Sequence, residues 1–264
     1  MKKTKGFTLT RRAFAYPYVL FLLLFVVVPL VLILLNAFWV DGALSLDNFV
    51  EFFSDVTGLK VLENSLIIGF ATTLLCLLIG YPTAYFLSKY HASSKVYVLL
   101  FILPTWVNFL IRTLSTKAIF LALGIELGMG TVVFGMVYNY LPYMILPLHT
   151  AISGIDKSLI EASHDLGANN LETFVKTILP LSWTGILSGI TMVFIPSVST
   201  FAISELLSNR QIFLFGDSIQ TKFSQNMYGV GSVMSLVMLL LVVLFNLLVN
   251  RAGGNDDDVS RSML

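Results

Sequence analysis

Six stretches of the chain, each about 16 to 24 residues long, are apolar at nearly every position and carry no Asp, Glu, Lys or Arg: 17–40, 65–87, 96–111, 131–152, 181–204 and 230–250. A hydrocarbon core about 30 Å thick is crossed by about 20 helical residues at about 1.5 Å each, so these runs predict membrane-spanning helices. The third run is short and holds Pro104 near its middle, which predicts a kink. Its apolar pattern resumes beyond Arg112 and Lys117 in AIFLALGI, making it a long, tilted or broken span. The first run exceeds a signal-peptide core in length and no small-residue A-x-A site follows it, so it is read as a retained span.

Composition agrees with the pattern. The 264 residues are 56% hydrophobic and 12% charged, against about 25% charged in ordinary soluble domains. A soluble fold of this size cannot hide that much apolar surface, and the expected architecture is a single all-α membrane domain over residues 1–264. A net charge of +1 gives no bulk attraction to nucleic acid. The lone Cys76 excludes a disulfide framework or a CxxC site, and the three histidines, His91, His149 and His164, are too scattered for a metal.

Charge distribution gives an orientation. With a cytoplasmic N-terminus, Lys2, Lys3, Lys5, Arg11, Arg12, Lys89, Lys95, Lys157, Lys176, Arg251 and Arg261 fall inside. Lys60, Arg112, Lys117, Arg210 and Lys222 fall outside, eleven against five, which places both termini in the cytosol. The acidic first outside loop, with Asp41, Asp47, Glu51, Asp55 and Glu63, agrees.

One inside loop, 153–180, is too polar to cross a membrane yet patterned. Ile155, Leu159, Ala162 and Leu166 predict an apolar stripe on one helix, with Lys157, Glu161 and Asp165 on another face. Gly167 ends that periodicity, and Leu171, Phe174, Val175 and Ile178 continue it on a second helix before Pro180. Ser158 with Glu161, and Asn169 with Glu172, have capping-box spacing. Such a hairpin either docks into a groove of a partner or lies on lipid headgroups.

The order of residues in EASHDLGA, with nine residues between Gly167 and TILP, resembles the EAA loop of ABC-transporter permeases: Glu-Ala-Ala, three residues, Gly, nine residues, Ile-x-Leu-Pro. Glu161, Ala162, Gly167, Leu179 and Pro180 match; Ser163 replaces the second alanine and Thr177 the isoleucine. The stretches FILPTWVNFLIRTL, VYNYLPYMILPLHTAI and IPSVSTFAISELL are similar to the polyamine permeases of that family. The resemblance implies a type I importer permease fold and a coupling helix through which Glu161, Ala162, Ser163, Asp165, Gly167 and Ala168 meet an ATPase. It also implies a second homologous permease, a pair of ATPase subunits carrying ATP and Mg, and an external polyamine-binding protein. Permeases for ferric iron, thiamine and sulfate are built alike, so another small solute stays open as substrate.

No GxxxxGK[ST] and no Gly-Lys pair occurs, so the chain has no phosphate loop, no cofactor is expected on it, and no catalytic cluster stands out. Polar groups in spans are costly and mark pathways or partners. Trp106, Asn108, Tyr138, Asn139, Tyr143 and Glu205 offer the carboxylate, amide oxygens and aromatic faces that would replace the hydration of an alkylammonium. Arg112 would repel that substrate unless paired, and Arg112 and Glu205 have a second reading as groups snorkelling to the outer boundary. Gly185 and Gly189 permit close packing of the fifth span, and Pro196 predicts a bend. The run Asp256 to Asp258 reads as a solvated tail. A self-contained channel or ion-gradient carrier is the rival from another class.

Overall fold

A computed structural model describes residues 15–40, 42–89 and 94–253. Asp41, His91, Lys2 to Arg12, Asp256 to Asp258, Arg261 and the side chain of Lys95, all used above, lie outside the described residues. Among the described residues, four helices are each long and apolar enough to cross a bilayer: Tyr16–Phe38, Val56–Lys89, Met129–Ser153 and Tyr228–Ala252. Two bent pairs, Val96–Trp106 with Phe109–Ala122 and Asn170–Leu181 with Trp183–Ser199, bring the number to six when each pair is counted as one span; below, the fifth span means its second part, Trp183–Ser199. The spans are numbered below in chain order.

The second span is longer than its apolar run because its first turns are amphipathic. Lys60, Glu63 and Asn64 are exposed, while Val61 and Leu62 pack on a core cluster around Phe52 and Val230. Asp55 starts the helix by accepting the N–H of Thr57 at 2.9 Å. The first span, with a π-helical turn at Leu23–Val27, exposes nearly all of its apolar side chains, as a lipid-facing helix does. Near its end the carbonyls of Asn36 and Ala37 accept from Asn48 Nδ2 at 3.3 and 3.1 Å, and that of Phe38 accepts from the Ser45 N–H at 2.9 Å, where the helix ladder gives out.

The third span departs furthest from a simple kink. Pro104 sits in the 3-10 turn Leu103–Trp106, and the two halves meet at 89°. Asn108 restarts the helix, its Oδ1 accepting the Leu110 N–H at 2.8 Å. Proline removes a donor from the ladder and the asparagine caps the new helix, so the span is broken rather than bent.

The fifth span also ends early, at Ser199 instead of residue 204. Thr200 to Ala202 leave the helix, Ala202 at φ 72, and a short helix, Ile203–Leu207, follows. A non-glycine residue in the left-handed region is held there by its surroundings. Asp217 on the helix Phe215–Ser224 supplies them: it accepts from the N–H groups of Ala202 (3.1 Å) and Leu214 (2.8 Å) and from the Ser204 hydroxyl. The Pro196 carbonyl, which the broken helix cannot use, accepts from Tyr140 Oη at 3.3 Å.

The centre of the bundle is built from the second, fourth and fifth spans, where Cys76, Tyr81, Met144, Ile145, Leu148, Ile186 and Val193 are buried together. The fourth and fifth spans approach closely because Gly185 and Gly189 have no side chain. A Cβ at Gly189 would stand 2.6 Å from Met144 Sδ, and one at Gly185 would stand 3.0 Å from the Pro147 carbonyl and overlap Ala151. The small pair of the fifth span is thus a packing seam. Replacing Gly185 with Val should destabilise the bundle by about 1–3 kcal/mol, read as a lower unfolding midpoint in detergent. Gly130→Ala, in open space, should leave that midpoint within error.

Candidate functional site

Between the fourth and fifth spans the chain folds into the expected hairpin. Helix Lys157–Asp165 is followed by Gly167 at φ +86 and by the helix Asn170–Thr173, which runs through the π-helical turn Phe174–Ile178 to Leu181. Gly167 closes the first helix with its N–H on the His164 carbonyl at 2.8 Å, and Ala168 N–H reaches Ser163 O at 3.1 Å. The left-handed elbow needs a residue without Cβ strain, which glycine provides.

Asn169 and Glu172 form the capping box read from their spacing. Asn169 Oδ1 accepts from Leu171 and Glu172 at 3.0 and 2.9 Å, and Glu172 Oε2 accepts from Asn169 N–H at 3.1 Å. Ser158 and Glu161 do not form one: the first helix is capped by Asp156, whose Oδ1 accepts from Ser158 N–H at 3.0 Å. An aspartate two residues earlier has the shorter reach to the same backbone. The backbone N–H bonds hold the Asp156 and Glu172 carboxyls below their ordinary pKa range, with the Lys176 ammonium adding to the effect at Glu172.

The apolar stripe also needs correction. Ile155 lies before the helix and Leu166 after it, so counting by helical period from one to the other misjudges the face. Ile155 and Ile160 pack toward the core, and Ser163 Oγ meets Thr173 Oγ1 at 3.1 Å between the two helices. Leu159 and Leu166 instead face outward, Leu166 at 90% exposure, joined by Leu171 and Val175. Glu161, Ala162, Asp165 and Gly167 are exposed as well, while Ser163 and Ala168 are half-buried. The hairpin presents an apolar knob, and nothing among the described residues covers it.

The hairpin is tied to the bundle. Phe174 meets the rings of Tyr81 and Tyr85 edge-on at 5.6 and 5.4 Å, and Tyr81 Oη pairs with Ser182 Oγ at 2.7 Å. Ser182 lies at the 64° bend between the hairpin and the fifth span. A displacement of the hairpin therefore reaches the second and fifth spans directly.

The polar residues of the spans divide into three groups. Asn139 and Tyr143 line a cavity of about 300 Å³ together with Arg112, Tyr140, Thr200 and Phe201. Tyr138 lies outside its lining but stacks against the Arg112 guanidinium at 5.7 Å. Glu205 lines a second cavity of about 280 Å³ with Arg210, Phe213, Asp217 and, again, Phe201. Glu205 is on the short helix after the break, and Arg210 binds it at 2.6 Å. Trp106, 76% exposed, and Asn108, engaged as a helix cap, line neither cavity. Arg112 is buried rather than snorkelling.

Sequence reasoning overlooked Asp217 and Phe201. Leu214 and Asp217 have the three-residue spacing of a helix start, a local signal for the clamp; the position of Phe201 between two cavities depends on contacts distant in sequence.

A bundle of continuous and broken apolar spans, with internal polar cavities and an exposed hairpin between the fourth and fifth spans, defines a multi-pass membrane transport subunit. Residues 6–254 match the family of binding-protein-dependent transport system inner membrane components, and the chain belongs to that family. It is 34% identical to the spermidine/putrescine transport system permease protein PotB of Haemophilus influenzae, over 88% of this chain and 90% of the relative. The corresponding figures for PotB of Escherichia coli K12 are 33%, 88% and 93%. A bacterial alginate ABC transporter structure has the same fold at a TM-score of 0.71 and 11% identity, covering 92% of this chain and 93% of the other. An inward-facing MetNI methionine transporter structure gives 0.55 at 19% identity, covering 78% and 95%.

Asn169→Ala should remove about 1 kcal/mol of local stability, seen as faster amide exchange at Leu171 and Glu172. Acidification should act the same way. Asp156 and Glu172 have depressed native pKa values, so their stabilisation is present above the unfolded values of about 4 and is lost as pH falls through the native ones. Exchange in the hairpin, corrected for its intrinsic rate, should therefore rise at low pH.

Proposed function

We propose that this chain forms one half of the translocation path of an ATP-driven polyamine importer and receives the power stroke through its hairpin. The observation that carries the coupling is the exposed apolar knob of Leu159, Leu166 and Leu171, standing where the EAA pattern lies. The substrate class comes from the PotB relatives, which match over nearly the whole of both chains. The hairpin would lie in the cytosol, with both termini on that side.

In this reading the chain breaks no bond. Its partners are a second homologous permease, a pair of ATPase subunits that hold ATP and Mg, and an external polyamine-binding protein. When the ATPase pair closes, the hairpin moves as a lever through Phe174 and the Tyr81–Ser182 bond, and the bundle rocks between outward-open and inward-open states. An alkylammonium entering from outside first meets the cavity of Glu205, Phe201 and Phe213, which supplies aromatic faces in place of water and, once the ammonium displaces Arg210, the Glu205 carboxylate. It then has to pass Phe201 toward Asn139 and Tyr143.

Uptake of labelled spermidine should return when the gene is restored to cells lacking it, and putrescine should compete where thiamine and ferric iron do not. Competition by one of the latter would move the substrate to that solute. Leu166→Asp should reduce uptake by about tenfold or more while the protein remains inserted, since a charge placed in an apolar contact costs well over 1.4 kcal/mol. Uptake without the ATPase subunits would favour a self-contained carrier.

A further inference from the structure

Arg112 is the residue that a cation path should least contain. The residue is 8% exposed, it lines the cavity between the third, fourth and fifth spans, and Nε and Nη1 have no hydrogen-bond partner among the described residues. One face of the guanidinium lies against Tyr138 at 5.7 Å, which attracts the charge without accepting its N–H bonds. Asn139 Oδ1, in the same cavity, is also unpaired, because Nδ2 donates to the Gly135 carbonyl at 2.8 Å and fixes the amide.

The carboxylates of the adjoining cavity are already engaged. Glu205 is bound by Arg210 at 2.6 Å, and Asp217 accepts from Ala202, Leu214 and Ser204. Arginine stays protonated at any relevant pH, so it cannot escape burial by releasing its proton. Water can solvate the free N–H groups of such a residue but leaves its charge uncompensated in a low-dielectric region. The Tyr143 hydroxyl on the wall adds a donor of the kind that, with a guanidinium, surrounds a small anion, while the Ser199 and Thr200 hydroxyls donate to the carbonyls of Ile195 (2.9 Å) and Phe201 (3.3 Å).

We infer that the Arg112 cavity is an anion site: it takes one small negatively charged acceptor, a carboxylate or a halide, between the guanidinium and the Tyr143 hydroxyl. The acceptor comes either from a free ion or from a carboxylate side chain of the sister permease; the chemistry at Arg112 is the same. With the site filled, the cavity presents no net positive charge to an arriving ammonium. The geometric part of this inference does not need the polyamine reading; its consequence for transport rests on that reading.

The test is the thermal unfolding midpoint of the purified full chain in sodium gluconate, with formate or chloride titrated in at constant ionic strength. The wild type should rise saturably by about 2–4 °C, Arg112→Met should not respond, and Arg112→Lys should keep part of the response. Ser199→Asp places a carboxylate at the cavity and should raise the midpoint in gluconate while abolishing the anion dependence, a result that loss of packing cannot imitate. In the assembled complex, a response that persists identifies a free ion, and one that disappears identifies the sister carboxylate. A wild type that gains no more from formate or chloride than Arg112→Met does would overturn the site. This assay needs neither substrate nor ATP, so its failure would leave the transport reading untouched, and a failed uptake experiment would leave the anion site untouched.

Discussion

Inside a hydrocarbon phase every backbone N–H and C=O must find its partner within the protein, and that requirement decides where these spans can break. An uninterrupted helix meets it automatically; an interrupted one needs a polar side chain at the interruption. Asn108 caps the second half of the third span, Tyr140 covers the Pro196 carbonyl, and Asp217 gathers the donors of the turn after Ser199. The polar groups are therefore concentrated at the breaks. The two cavities that share Phe201 lie beside those of the third and fifth spans.

The same rule separates the two ends of the molecule. At one end the broken fifth span is clamped by Asp217, whose carboxyl is pushed up from its ordinary pKa by burial, although the three donors act against that shift. At the other end the hairpin caps its own helix ends with Asp156, Gly167 and the Asn169–Glu172 box. Its outward apolar side chains are left free for an interface. The aromatic contacts of Phe174 and the Tyr81–Ser182 bond make it stiff toward the core, which a lever requires.

Much of this was legible along the chain, and the boundary of legibility has a physical meaning. Spans whose neighbours are lipid or apolar helix follow local hydropathy, so 131–152 and 230–250 agree with Met129–Ser153 and Tyr228–Ala252 to within two residues. The glycine elbow and one of the two capping boxes were legible too, because both depend on residues within one turn. The outward face of the hairpin was not, because helical periodicity was counted through Ile155 and Leu166, which lie outside the helix. Nor were the partners of Glu205 and Arg112. Arg210 is within one loop of Glu205, but whether a carboxylate reaches Arg112 depends on how three spans and a short helix meet.

The hairpin as the point of ATPase contact is the claim on which the rest turns, and cysteine labelling reaches it most directly. Cys76 is buried, so Leu166→Cys would introduce a single exposed thiol among the described residues, with Asn226→Cys in a separate variant as a control in the turn before the sixth span. Maleimide labelling of each should be measured on the full chain alone and after assembly with the ATPase subunits. Strong protection at position 166 with none at 226 is the result this structure predicts; equal labelling of position 166 in both preparations would contradict it.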